Sequence, residues 1–161
     1  MDWPVQQGVL ALGDLPLHKG GVLCDARLSW RAHGTLSPAR DNAVLYPTSF
    51  GNQHADMEWA LGPEGILEPE RWFIIIPDMF GNGVSTSPSN SPDWPGLVTA
   101  WDNVVAQRRL LHEVFGIERL HAIHGCSMGG QQAYHFAAAF PGMVDRIVVS
   151  CGSARTSTHN R

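Results

Sequence analysis

Residues 120–141 read Leu-His-Ala-Ile-His-Gly-Cys-Ser-Met-Gly-Gly-Gln-Gln-Ala-Tyr-His-Phe-Ala-Ala-Ala-Phe-Pro, and their order decides the fold. A short apolar strand, Leu120 to His124, runs into Gly125-Cys126-Ser127-Met128-Gly129-Gly130. A small-residue helix from Gln131 to Phe140 follows, and Pro141-Gly142 stops it. Strand, tight turn and helix around G-x-S-x-G put the central serine on a turn with strained backbone angles. Glycines two before and two after it leave room for neighbouring backbone to pass. The helix aims its free N–H groups and positive dipole end at the serine oxygen and at any oxyanion forming beside it. Ser127 is therefore the candidate nucleophile. The backbone N–H of Met128, next in the chain, is one candidate oxyanion donor.

Outward from this unit, Arg146 to Ser150 (RIVVS) reads as a further buried strand. Ala43 to Tyr46 and Trp72 to Ile76 are apolar without alternating, and each runs into proline. Both are predicted as strands buried on two faces that end abruptly in a loop. Leu23 to Ala32 alternates enough to predict an outer strand. Val98, Trp101, Val104, Val105, Leu111, Val114 and Phe115 recur at spacings of three and four, which predicts a helix with Gly116 at its C-cap. Gly81 to Pro95, dense in Ser, Pro, Asn and Gly, is predicted as a long surface loop. Strands alternating with helices make parallel βαβ units, so the expectation is a three-layer α/β domain with helices on both faces of the sheet. A second oxyanion donor is expected in the loop Pro47-Thr48-Ser49-Phe50-Gly51-Asn52-Gln53-His54, from the N–H of Ser49 or its neighbour Phe50.

Composition narrows the class. The 161 residues are 43% hydrophobic and 16% charged, enough apolar material for one domain with a core. The formal net charge is −4, and the basic residues form no run longer than Arg108-Arg109, so the basic face that nucleic acid requires is missing. The apolar run Trp72 to Ile76 is far short of the roughly 20 residues that span a bilayer. Met1-Asp2-Trp3-Pro4 carries an acid where a secretory signal carries positive charge. Cys24, Cys126 and Cys151 are odd in number and widely spaced, as expected of reduced thiols in a cytoplasmic protein. No cluster has metal-ligand spacing.

Four segments together resemble the α/β-hydrolase superfamily, and within it the homoserine O-acetyltransferase-like branch. They are YPTSFGNQHADMEW, WFIIIPDMFGNGVSTSPSN, the stretch from Ala100 to Val148, and CGSARTSTHN. The resemblance runs from about Gly13 to Asn160 and implies the α/β-hydrolase fold with ping-pong acyl transfer. In that reaction Ser127 takes an acyl group from acetyl-CoA or an ester, and a hydroxyl acceptor or water removes it. Met128 and Ser49 carry over as the oxyanion hole. Apart from the resemblance, Phe50 and Arg155 are candidates for substrate contact, with Arg155 either binding a carboxylate or a CoA phosphate or serving a plain surface role. No bound cofactor is implied. Cys126 and the Ser49-Phe50-Gly51 loop depart from the transferase pattern, which keeps a plain carboxylic-ester hydrolase open beside the transferase.

The superfamily's chain order is Ser, then Asp or Glu, then His. Only 34 residues follow Ser127, among them Asp145 and His159. The expectation is therefore the N-terminal part of a single α/β-hydrolase domain, residues 1–161, truncated after about the sixth strand. An inert chain acting only by association is the reading outside enzymes. The last strand would then be an open edge prone to self-association or homodimerisation. Of the other histidines, His124 is expected as a satisfied core residue, His54 lies in the oxyanion loop, His121 sits on a strand, and His112 and His135 on helices. Trp59, Trp94 and Trp101 are expected as core or loop anchors, and Cys126 as pointing inward. Asp78 to Gly83 lacks the helix that a dinucleotide loop would open.

Overall fold

The apolar runs that do not alternate become the centre of one sheet. The computed structural model describes residues 3–158. In chain order its elements are β1 (Val5–Pro16), β2 (Val22–His33), β3 (Ala43–Leu45), a 3-10 helix (His54–Ala60), β4 (Phe73–Pro77), α1 (Ala100–Phe115), β5 (Ala122–Cys126), α2 (Met128–Ala139) and β6 (Ile147–Ser150). The sheet order is β1-β2-β4-β3-β5-β6. β4, β3, β5 and β6 run parallel, and β1 and β2 form an antiparallel hairpin joined to β4. The expected α/β class and mostly parallel sheet are what the chain forms.

Alternate residues of the central strands serve two cores. Ala43, Leu45, Phe73 and Ile75 face α1, α2 and the hairpin, whereas Val44, Tyr46, Ile74 and Ile76 face Met57 and Ala60 of the 3-10 helix. Each fully buried isoleucine of β4 contributes about 1.5–3 kcal/mol of transfer free energy. Phe115 locks the first core, taking Trp30 and Phe73 edge-on with ring centroids 5.0 and 5.2 Å away. The second face carries no α-helix among the described residues, unlike the expected pair of helical layers. The short 3-10 helix covers it, with Asp56 accepting the Gln53 N–H at 2.9 Å at its start. Arg31 and His33 of β2 reach Glu58 across this face at 3.1 and 3.5 Å.

Three expectations need correction. β2 is not an outer strand, because β1 lies outside it. Gln6, Gln7, Gly8 and Gly13 blur the alternation of β1, and only Leu12 and Leu15 of it are buried. β6 is not buried on both faces. Ile147 and Val149 pack toward α2, while Val148 on the opposite face is 53% exposed because nothing among the described residues covers it. The segment from Gly81 to Pro95 is a loop but not a superficial one: Ser85, Thr86 and Ser87 are buried. Thr86 Oγ1 accepts the Arg27 N–H at 2.7 Å and Ser85 Oγ accepts the Ser29 N–H at 2.9 Å. Short hydroxyl side chains thus replace a neighbouring strand beside β2.

Helix α1 starts two residues later than expected, with Asp102 accepting the Thr99 N–H at 2.7 Å, and ends at Gly116 in the left-handed conformation. Its buried face includes Asp102, Asn103 and Gln107, while Val114 is exposed. Helix α2 begins at Met128, three residues earlier than expected, because the turn at Ser127 feeds directly into it. No helix among the described residues is long and apolar enough to cross a membrane.

Candidate active site

The parallel strands β3, β4 and β5 all end on the same edge of the sheet, and the loops leaving those ends carry the candidate residues. Ser127 follows β5 with φ 51° and ψ −118°, a left-handed strain that a serine adopts only when its surroundings impose it. The surroundings are visible. The Ser127 N–H donates to the Ser150 carbonyl at 2.9 Å, and its own carbonyl accepts the Gln131 N–H at 3.1 Å. A Cβ on Gly125 would overlap the carbonyl of Gly129, and one on Gly129 would stand 2.6 Å from the carbonyl oxygen of Pro47. The glycines therefore let strand, helix and the loop after β3 close onto one another. Ser127 itself is exposed.

Thr48 ties the loop after β3 to its neighbours. Its N–H and Oγ1 donate to the Pro77 carbonyl at 3.3 and 3.2 Å, and its Oγ1 accepts the Met79 N–H at 2.9 Å. Its carbonyl accepts from Gln132 Nε2 at 3.0 Å. Ser49 follows, 8% exposed, and its N–H has no acceptor among the described residues. The Met128 N–H, first in α2, likewise has no intrahelical acceptor. Phe50 projects from the same loop with 82% of its surface exposed. Arg155 lies on the exposed segment after β6 and makes no ion pair among the described residues; nothing ties it to Ser127.

Asp78, at the end of β4, is fully buried and holds the far end of the loop. Its carboxylate accepts the His54 N–H at 2.8 Å and Asn82 Nδ2 at 3.0 Å, and it meets His54 Nδ1 at 2.6 Å. His54, the first residue of the 3-10 helix, is thus anchored where the loop after β3 ends. His124 is buried against Tyr46, with ring centroids 5.0 Å apart. Burial holds its imidazole below the ordinary histidine pKa. Burial, with a smaller contribution from Cys126, pushes the Tyr46 phenol up. Asp145 bonds Arg119 Nε at 2.6 Å rather than any histidine, and His159 lies outside the described residues.

His135 is exposed on α2, His112 meets Glu118 at 2.5 Å, and His121 stacks on Trp72. Trp59 is 73% exposed instead of acting as an anchor, because the 3-10 helix turns it outward; Trp94 packs on the core. Cys126 is half-buried. A concavity of about 500 Å³ between the hairpin and the 81–95 loop, lined by Val9, Cys24, Arg27 and Asn90, contains none of the candidate residues. Sequence reasoning passed over Asp102, Asn103, Gln107 and Gln132. The signal available for two of them was the four-residue spacing of Asn103 and Gln107 within an apolar helical stripe; Gln132 carried none.

The chain as a whole has counterparts among known proteins. Residues 42–160 match the family described as alpha/beta hydrolase fold. The chain belongs to the α/β-hydrolase family. An ethyl acetate hydrolase of Pseudomonas veronii is 39% identical to this α/β hydrolase over 158 residues, 94% of this chain and 45% of that enzyme. A homoserine O-acetyltransferase of Leifsonia xyli is 33% identical over 159 residues, 86% of this chain and 39% of that enzyme. The crystal structure of an acetylester hydrolase from Corynebacterium glutamicum superposes with TM-score 0.90 at 37% identity, covering 96% of this chain and 46% of that one. The α/β-hydrolase segment described here thus spans about half the length of the relatives it matches.

Proposed function

We propose that the protein is a serine carboxylic-ester hydrolase acting on small acyl esters. The observation that carries this is the strained, exposed Ser127 set at the N-terminus of α2, with the unpaired N–H of Ser49 one loop away. Ser127 Oγ bonds to the ester carbonyl carbon and gives its proton to a general base. The carbonyl oxygen takes negative charge between the Met128 and Ser49 N–H groups. The alkoxy group then leaves as the alcohol with that proton. Water adds to the acyl-serine in the same way, and the carboxylic acid departs. The base and its orienting acid are assigned to the part of the relatives' length that this chain does not span, since Asp145 is committed to Arg119. The exposure of Phe50 on the loop after β3 supports a role for it in lining the acyl or alcohol side of a substrate.

Water as acceptor is supported by the ethyl acetate hydrolase at 39% identity. Transfer to a hydroxyl acceptor, with acetyl-CoA as donor, is the second reading, supported by the homoserine O-acetyltransferase at 33%. The test is to compare ethyl acetate hydrolysis with homoserine acetylation in the full-length protein carrying these residues. Hydrolysis independent of homoserine, lost by about 10³-fold or more in Ser127→Ala, is the expected result. Acetyl transfer from acetyl-CoA outrunning hydrolysis would turn the assignment to the transferase. Full activity in Ser127→Ala would overturn both.

A further inference from the structure

We infer that Gln132 is a positioning residue that aims the second oxyanion donor by gripping the peptide unit to which that donor belongs. The inference rests on the Ser49 N–H serving in the oxyanion hole, as proposed above. In a trans peptide the C=O and N–H share one plane and point in opposite directions. The Thr48 carbonyl and the Ser49 N–H are the two ends of one such plane. Gln132 Nε2 donates to that carbonyl at 3.0 Å, so the orientation of the Ser49 N–H follows from where the glutamine amide holds the oxygen. The elbow uses the same device. The Ser127 carbonyl, held at 3.1 Å by the Gln131 N–H, shares its plane with the Met128 N–H. Adjacent residues of one helical turn, Gln131 through its backbone and Gln132 through its side chain, therefore fix both donor planes.

The amide is built to hold this pose. Gln132 is 2% exposed, and its Nε2 also reaches the Met128 carbonyl at 3.4 Å, so both amide hydrogens are directed. Its Oε1 accepts from Gln107 Nε2 of α1 at 2.5 Å, and Gln107 is 1% exposed. That bond fixes which end of the Gln132 amide faces Thr48, because the acceptor end is occupied. The contact of Gly129 with the Pro47 carbonyl brings the loop close enough for the side chain to reach. A glutamine in the second turn of α2 has no need of a buried partner on another loop for helix formation, and the shorter of its two donated bonds falls on the Thr48–Ser49 plane.

The test is Gln132→Met in the full-length protein, which keeps length and burial and removes the donor. A hole that acts on the transition state predicts kcat reduced by about 10–100-fold with KM within about twofold. Inhibition by a trifluoromethyl ketone, whose hemiketal oxyanion occupies the hole, should weaken by the same factor. A merely structural role would lower the melting temperature without that matched loss. Gln107→Met, which removes only the support behind the amide, should reproduce the effect at about 3–10-fold and decides the matter if Gln132→Met does not fold. Kinetics within about twofold of wild type, or a loss confined to KM, overturns the inference while Ser127→Ala is inactive. An active Ser127→Ala instead marks failure of the underlying hydrolase reading.

Discussion

Gly129→Ala tests how tightly the loop after β3 is pressed onto α2. In a helix, alanine ordinarily stabilises by about 0.5–1 kcal/mol over glycine. At this position a Cβ would stand 2.6 Å from the Pro47 carbonyl oxygen, whereas ordinary contact begins near 3.4 Å. Helix and loop must therefore part by about 0.8 Å, the difference between those two distances. The loop cannot simply follow, because Thr48 is bonded to β4 through the Pro77 carbonyl and the Met79 N–H and to α2 through Gln132. A shift of about 1 Å in the reacting geometry can cost about 10²-fold in rate. The expected outcome is kcat lowered by about 30–100-fold with KM little changed, while strain cancels the helix gain and leaves stability within about 1 kcal/mol of wild type. Initial rates on p-nitrophenyl acetate and urea denaturation of the same preparations measure both. A variant stabilised by the ordinary helix increment, with kcat within twofold of wild type, would refute the reasoning.

His33 and His124 are both held below the ordinary histidine pKa, chiefly by burial, so the unfolded chain binds protons that the folded one does not. Stability is full above about pH 6.5 and falls as pH drops toward the folded-state values, by up to about 1.4 kcal/mol per pH unit for each histidine. Urea melts from pH 7.5 to 5 should show the slope, and a flat profile would contradict it. Asp78→Ala strands the His54 N–H groups and the Asn82 amide, so a loss of about 2–4 kcal/mol is expected in the same melts; a loss under about 1 kcal/mol would mean Asp78 does not hold the loop. The edge of β6, unpaired among the described residues, with exposed Val148 predicts concentration-dependent association of the 161-residue chain in light scattering, reduced in Val148→Lys. A monomer at every concentration would count against an adhesive edge.

Much of this was legible because the signals are local. The strand, turn and helix around Ser127, the apolar runs of β3 and β4 and the left-handed Gly116 each announce themselves within a few residues. What escaped depends on partners distant in sequence. β1 pairs with β2 along nearly its whole length, yet its glycines and glutamines hide the alternation. The burial of Ser85 and Thr86 follows from β2 lacking a neighbour there, 56 or more residues earlier in the chain. Gln132 reads as an ordinary polar helix position until Thr48, 84 residues away, is placed against it. The pairing of His54 with Asp78 joins the segments that follow β3 and β4, which are neighbours only because of the sheet order.

That order has a kinetic consequence. β3 is three residues long and precedes β4 in the chain, yet it lies between β4 and β5. Its pairing with β5 joins Val44 to Ala122 across 78 positions of chain, a loop closure that must be completed before any cross-strand bond rewards it. A hairpin of β1 and β2, or the β5–α2 turn alone, can assemble from near neighbours. The Ser49 plane cannot meet Gln132 until β3 has been threaded between its two partners. Reactivity at Ser127 should therefore appear as a late event in refolding, lagging the gain of helical signal, and would serve as a clock for insertion of the central strand.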